Sequence, residues 1–179
     1  VSRFAHRLIG AATFDASVYE AIESDRSALS QAFLVVLLSS AAAGIGFGHG
    51  RPTAFLVTTV IALGTWLTWA AIVYQIGGRL LPEPQTHVDF AEMLRTVGFA
   101  AAPGAIQALA AWPGWTGAVA LVSWTWMVAA MVVAVRHALD YPRLSRAVAV
   151  CVIAATIALG MAIVLSLMLM PTAVGRRIV

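Results

Sequence analysis

Few side chains in this sequence combine charge with a spacing that brings them together on a helix. Glu92 and Arg95 stand three residues apart, so one helical face would hold a carboxylate beside a guanidinium. Arg136 and Asp140 have the i,i+4 spacing of a second pair, and Arg143 and Arg146 follow closely. The chemistry open to these groups is ion pairing and attraction of anionic headgroups, about 1 kcal/mol per basic residue near a membrane surface. Arg95, Glu92, Arg136, Asp140, Arg143 and Arg146 are therefore the candidate lipid- or partner-contact residues. The plain alternative for Arg95 is an arginine that snorkels to phosphates at the inner interface.

Catalytic and cofactor chemistry find little support. His6, His49, His87 and His137 all lie away from the middle of an apolar run, and no two share the i,i+4 spacing of a helical metal pair. No Gly-x-Ser-x-Gly elbow, phosphate-binding Gly-rich loop or His-Glu-x-x-His is present. The expectation is a protein that is not an enzyme and holds no metal or cofactor. Trp66, Trp69, Trp124 and Trp126 fall toward mid-run positions. They read as helix packing, with a flat surface for a quinone or pigment in a neighbouring subunit as the sharper alternative.

The elements that must position these residues follow from composition. The chain has 179 residues, 61% hydrophobic and 11% charged, with a mean hydropathy of +0.89 and a net charge of +3. Soluble domains are about 45–50% apolar and about 25% charged, so a soluble globule is excluded and a nucleic-acid partner is not expected. The fold class is all-α: a polytopic membrane helix bundle of about five transmembrane helices, preceded by a short amphipathic interfacial helix.

Residues 1–27 form a cytoplasmic or interfacial amphipathic segment, in which Ser17 and Glu20 have capping-box spacing and Val18, Tyr19 and Ile22 share a face. Asp25 or Ser27 caps the next helix. The transmembrane domain covers 28–170, with spans at about 28–47, 53–76, 93–111, 116–135 and 147–170. Gly77-Gly78 ends the second span. Thr86, with Asp89 three residues on, caps the third, which Pro103 and Gly104 kink. Trp112 and Trp115 flank a tight turn as interfacial aromatic anchors. Residues 171–179 form a short tail after Pro171.

With the N-terminus inside, eight arginines fall on cytoplasmic segments and Arg51, Arg176 and Arg177 outside. The positive-inside rule then places the N-terminus in the cytoplasm. A chain rich in Ala, Val and Arg, without Lys or Asn, suggests a GC-rich bacterial genome and hence the bacterial inner membrane.

Three stretches resemble the Yip1 domain family of integral membrane proteins. They are Val18-Tyr19-Glu20-Ala21-Ile22-Glu23-Ser24-Asp25, then Leu94-Arg95-Thr96-Val97-Gly98-Phe99-Ala100-Ala101-Ala102-Pro103, and Trp126-Met127 through Val135-Arg136-His137-Ala138-Leu139-Asp140. The resemblance covers about residues 15 to 170 and is similar to the bacterial branch. Eukaryotic members are trafficking factors that contact small GTPases. Their Asp-Leu-Tyr-Gly-Pro-type motif is missing here, which removes the ground for GTPase binding.

The expected function is non-catalytic, through association with membrane lipids, other integral membrane proteins or a second copy, as in an accessory subunit of a larger complex. The alternative is a small transporter or channel, with a polar path built from Arg95, Gln75, Gln107 and span hydroxyls.

Overall fold

A computed structural model describes residues 2–48 and 51–169, and every described element is helical. In chain order these are α1 (Arg3–Ala12), α2 (Ala16–Ser24), α3 (Ala28–Phe47), α4 (Pro52–Val73), α5 (Phe90–Phe99), α6 (Thr116–Ala138) and α7 (Leu144–Leu169). A π-helix, Tyr74–Leu80, continues α4, and a 3-10 helix, Ala102–Ala111, continues α5. His49, the end of the fifth span at Met170, Pro171 and the expected tail 171–179 with Arg176 and Arg177 lie outside the described residues.

Among the described residues, four stretches are long and apolar enough to cross a membrane: Ala28–Phe47, Phe55–Leu80, Thr116–Ala138 and Leu144–Met161. The expected third span is composite. The ten residues of α5 rise roughly 15 Å and the ten of the 3-10 helix roughly 20 Å, together the thickness of a hydrocarbon core. Both halves pack against α3 and α6. The expected kink at Pro103-Gly104 takes the form of a change of helix type. Pro103 has no N–H to donate, and Gly104 lies so close to Ser39 Oγ that a Cβ would collide with it.

Several expected boundaries are corrected. The polar preface holds two helices, joined by a turn at Thr13-Phe14-Asp15 in which Phe14 has φ 63°. Asp15, not Ser17, is the cap of α2: its carboxylate accepts from the Ser17 N–H at 2.9 Å. Asp25 repeats the device before α3, accepting from the Ser27 N–H at 2.9 Å. Asp89, not Thr86, is the N-cap of α5, in a reciprocal capping box with Glu92. Thr86 donates instead to the Leu139 carbonyl at 2.8 Å.

Gly77-Gly78 does not stop the second span, which runs through both as π-helix to Leu80. A Cβ on Gly77 would strike Leu139 Cδ1, so the glycine serves close approach rather than a left-handed cap. The fourth and fifth spans also begin or end beyond their expected limits, α6 reaching Ala138 and α7 starting at Leu144.

The core sits where α2, α3, α5 and α6 meet, with Tyr19, Ile22, Met93, Val97, Phe99 and Val135 fully buried. Val18, Tyr19 and Ile22 do share the expected face, but it is buried against the bundle instead of resting on a membrane surface.

Candidate functional site

Polar chemistry collects at the end of the bundle where α2 finishes, α3 and α5 start and α6 stops. The last carbonyls of a helix have no partner within it. At the end of α2 two buried arginines supply partners. Arg7, 6% exposed on α1, reaches the Ala21 carbonyl at 3.5 Å, the Asp25 carboxylate at 2.6 Å and Gln31 Oε1 at 3.1 Å. Arg95, 4% exposed on α5, donates to the Glu23 carbonyl at 2.6 Å and lies 3.9 Å from Glu92. Two positive charges thus face the negative end of the α2 dipole. The Glu92–Arg95 pair is present at long range, but the stronger contact of Arg95 is the α2 carbonyl. A guanidinium so enclosed presents almost no surface to a headgroup; its Nε is buried without a partner.

Burial, reinforced by the carboxylates of Asp140 and Glu92, lifts the Glu23 carboxyl to about 7, against a smaller opposing pull from Arg95. The Asp25 carboxyl is held well below its usual range by hydrogen bonds from Ser27 and Arg7. The two acids flank the end of α2 with opposite tendencies.

The expected Arg136–Asp140 pair is not formed. Helix α6 ends at Ala138, and Asp140 takes a left-handed conformation, φ 51°. The Asp140 N–H bonds the His137 carbonyl at 3.0 Å and the Tyr141 N–H bonds the Arg136 carbonyl at 2.9 Å, a Schellman closure. Past that turn the i,i+4 register no longer applies. Arg136 folds back onto the carbonyls of Tyr141 and Pro142.

Tyr141, unremarked in the sequence, is buried and donates from its hydroxyl toward the carbonyls of Gly77 at 3.1 Å and Leu81 at 3.0 Å. Arg146 covers the Tyr141 ring at 5.4 Å and pairs with Glu83 at 3.1 Å. Arg143 is exposed at a shallow cavity of about 420 Å³ shared with Glu83, Ser145 and Arg146. Of the expected basic rim, Arg143 and the half-exposed Arg146 face outward together, while Arg136 belongs to the α6 turn.

Deeper in the bundle, three of the four mid-span tryptophans pack at least in part against protein. Trp66 donates to the Leu94 carbonyl at 3.2 Å, and Trp126 to the Ala12 carbonyl at 2.7 Å. Trp69 is half-buried with its Nε1 enclosed and unpartnered, and Trp124 is 62% exposed. Gln107 donates to Ser123 Oγ at 3.3 Å, bonding helix to helix. Gln75 is exposed. Trp112 and Trp115 are both exposed on the turn before α6.

Sequence reasoning missed Arg7, Gln31, Glu23 and Tyr141. A usable signal existed for the first: Asp15-Ala-Ser17 and Asp25-Arg-Ser27 repeat one capping pattern, which marks two helix starts within residues 1–27 and so a turn that brings Arg7 back.

No curated protein and no solved structure matches the chain. A family model described as the Yip1 domain matches residues 10–166, from the end of α1 to within α7, and so includes the α2 cap, both halves of the third span and the α6 turn. The chain belongs to the Yip1 domain family.

Proposed function

We propose that this protein is a non-catalytic integral membrane protein that works by association, with membrane lipids and with other integral membrane proteins or itself. An accessory subunit of a larger assembly in the bacterial inner membrane is its concrete form. The observation that carries this reading is the use to which interior polar groups are put. Arg7, Arg95, Gln107, Trp66, Trp126, Tyr19 and Tyr141 each bond another part of the same bundle. Arg95 and Gln107, which a transport path would need for a substrate, are engaged in holding helices together.

What the bundle offers outward is apolar helix surface on α4, α6 and α7, together with the Arg143–Arg146 edge. The excess of arginine on one set of connections supports a cytoplasmic N-terminus.

The test is extraction from native membranes in mild detergent, with co-purifying proteins and lipids identified by mass spectrometry. A stoichiometric partner or a retained lipid is the expected result. A lipid-free, partner-free monomer whose reconstitution makes vesicles permeable to a small solute would replace this reading with that of a transporter or channel.

A further inference from the structure

The polar N-terminal segment does not lie flat at the end of the bundle. Arg7 is bonded to Asp25 and to Gln31, near the start of α3, which fixes the open end of the α1–α2 hairpin at that end of the spans. From there the hairpin runs inward alongside α6. The Tyr19 hydroxyl reaches the Ala130 carbonyl at 3.4 Å, about 12 Å from the Ala138 end of α6. The Ala12 carbonyl accepts from Trp126 at 2.7 Å, about 18 Å from that end and near the midpoint of the helix. The hairpin tip therefore stands about halfway through the bundle, and α1 also touches the 3-10 half of the third span.

The outward face of this hairpin is polar at that depth. Thr13, Asp15, Ser17, Glu20 and Ser24 are exposed along the tip and α2. Ile9 and Phe14, 59% and 40% exposed, are its exposed large apolar side chains. Opposite, on α6, Val128 at nearly the same level is 60% exposed, as a lipid-facing residue should be. Hydrocarbon does not solvate a carboxylate, so ionisable groups at membrane depth face water, protein or a counter-charge.

A counter-charge from a second copy fails on depth. Copies related by an axis along the membrane normal keep each residue at its own level, and Arg3 and His6 lie about 14 Å and about 9 Å back from the Ala12 end of α1, nearer the open end than Asp15; the His6 charge acts on Asp15 within one copy, which still leaves the carboxylate exposed. Arg26 and Arg143 are at the ends of helices as well.

We infer that water penetrates beside α1 and α2 as far as the hairpin tip, so that one leaflet is locally replaced by a wet depression about half the membrane deep. This stands apart from the association reading and survives its failure.

The experiment uses the full chain with Cys151→Ala, which removes the buried native thiol, and single cysteines at exposed positions. Ala16→Cys reports the tip, Arg26→Cys the open end and Val128→Cys the lipid face of α6. Each variant is first checked for unchanged elution by size. Sealed vesicles of both orientations are treated with a charged, membrane-impermeant maleimide, which reacts with hydrated thiolate. The expected result is labelling of Ala16→Cys within about tenfold of Arg26→Cys, from the same side, and about 100-fold faster than Val128→Cys, because a thiol in hydrocarbon scarcely ionises. Labelling of Ala16→Cys as slow as Val128→Cys would overturn the inference, whether hydrocarbon or a partner protein covers the hairpin.

Discussion

The third span and the pair α4–α7 differ in a way that reverses the habits of soluble proteins. Hydropathy marks α4 and α7 as unmistakable crossings, yet only 17% and 22% of their apolar windows are buried inside the protein. The α5–3-10 span carries Arg95, Thr96, Gln107 and a proline, yet all of Met93–Ala100 is buried. In lipid there is no gain from hiding leucine from hydrocarbon, so apolar side chains face outward and the centre goes to small residues and to polar groups that bond across helices. The centre is where shape and hydrogen bonds decide stability; the periphery is where composition alone suffices.

The largest expected effect tests that division by shape. Gly46→Val would place a Cβ into the Gln107 carbonyl, where backbone rather than a flexible side-chain end is in the way. We expect a loss of about 3 kcal/mol, seen as failure to recover monodisperse protein from the membrane. A folded variant with an unchanged melting temperature would break the comparison.

Next comes Arg95→Met, which keeps the volume but strips the end of α2 of one of its two charged donors. Thermal melts in detergent should show destabilisation of about 2 kcal/mol. An equal effect from Arg79→Met, which is exposed on the π-helix, would show that burial of Arg95 is not what matters.

The tryptophans sharpen the contrast on a single helix. Trp126→Phe removes a half-buried bond to α1 and should cost about 1 kcal/mol. Trp124→Phe, two residues away and facing outward, should stay within about 0.5 kcal/mol.

A weaker signature is expected in pH. Glu23 holds its proton to about 7 in the folded protein, well above an unfolded glutamate, so the folded state binds more protons between about 4.5 and 7. Stability should therefore fall as pH rises through that window. Glu23→Gln should flatten the slope of melting temperature against pH. Asp25, shifted the other way, contributes stability above the usual carboxylate range that is lost only in stronger acid.

The smallest effect belongs to the periphery. Gly64 has open space where a Cβ would stand, so Gly64→Ala should be neutral or stabilise by about 0.5–1 kcal/mol through helix propensity. A clear loss would mean that something packs there in the membrane.

How much of this was legible varied with the distance over which each contact acts. Apolar run lengths located the four continuous spans and the weak one between them, because each is a local property. The end of α6 was also written locally: Pro142 disfavours helix at Tyr141, which puts Asp140 at the edge of the helix, where the i,i+4 register with Arg136 is weakest. That signal outweighs the spacing that suggested the pair. Gly77-Gly78 misled for a different reason, since glycine serves both as a stop and as room for a neighbour, and only the position of Leu139 tells which.

The contact of Arg95 with the end of α2 was out of reach. Arg95 and Glu23 are 72 residues apart, and nothing in either segment names the other. Charge spacing along one helix therefore found Glu92 at 3.9 Å and missed the Glu23 carbonyl at 2.6 Å.

The same remoteness has a consequence for biogenesis. The hairpin is made before α6, but Tyr19 and Trp126 complete the contact between hairpin and α6 through bonds spanning 111 and 114 residues. At about 5–20 residues per second, the ribosome leaves the hairpin without those partners for roughly 6–20 s. During that interval it must wait at the membrane surface or in the care of the insertion machinery, and its final seating is a late, post-insertion event.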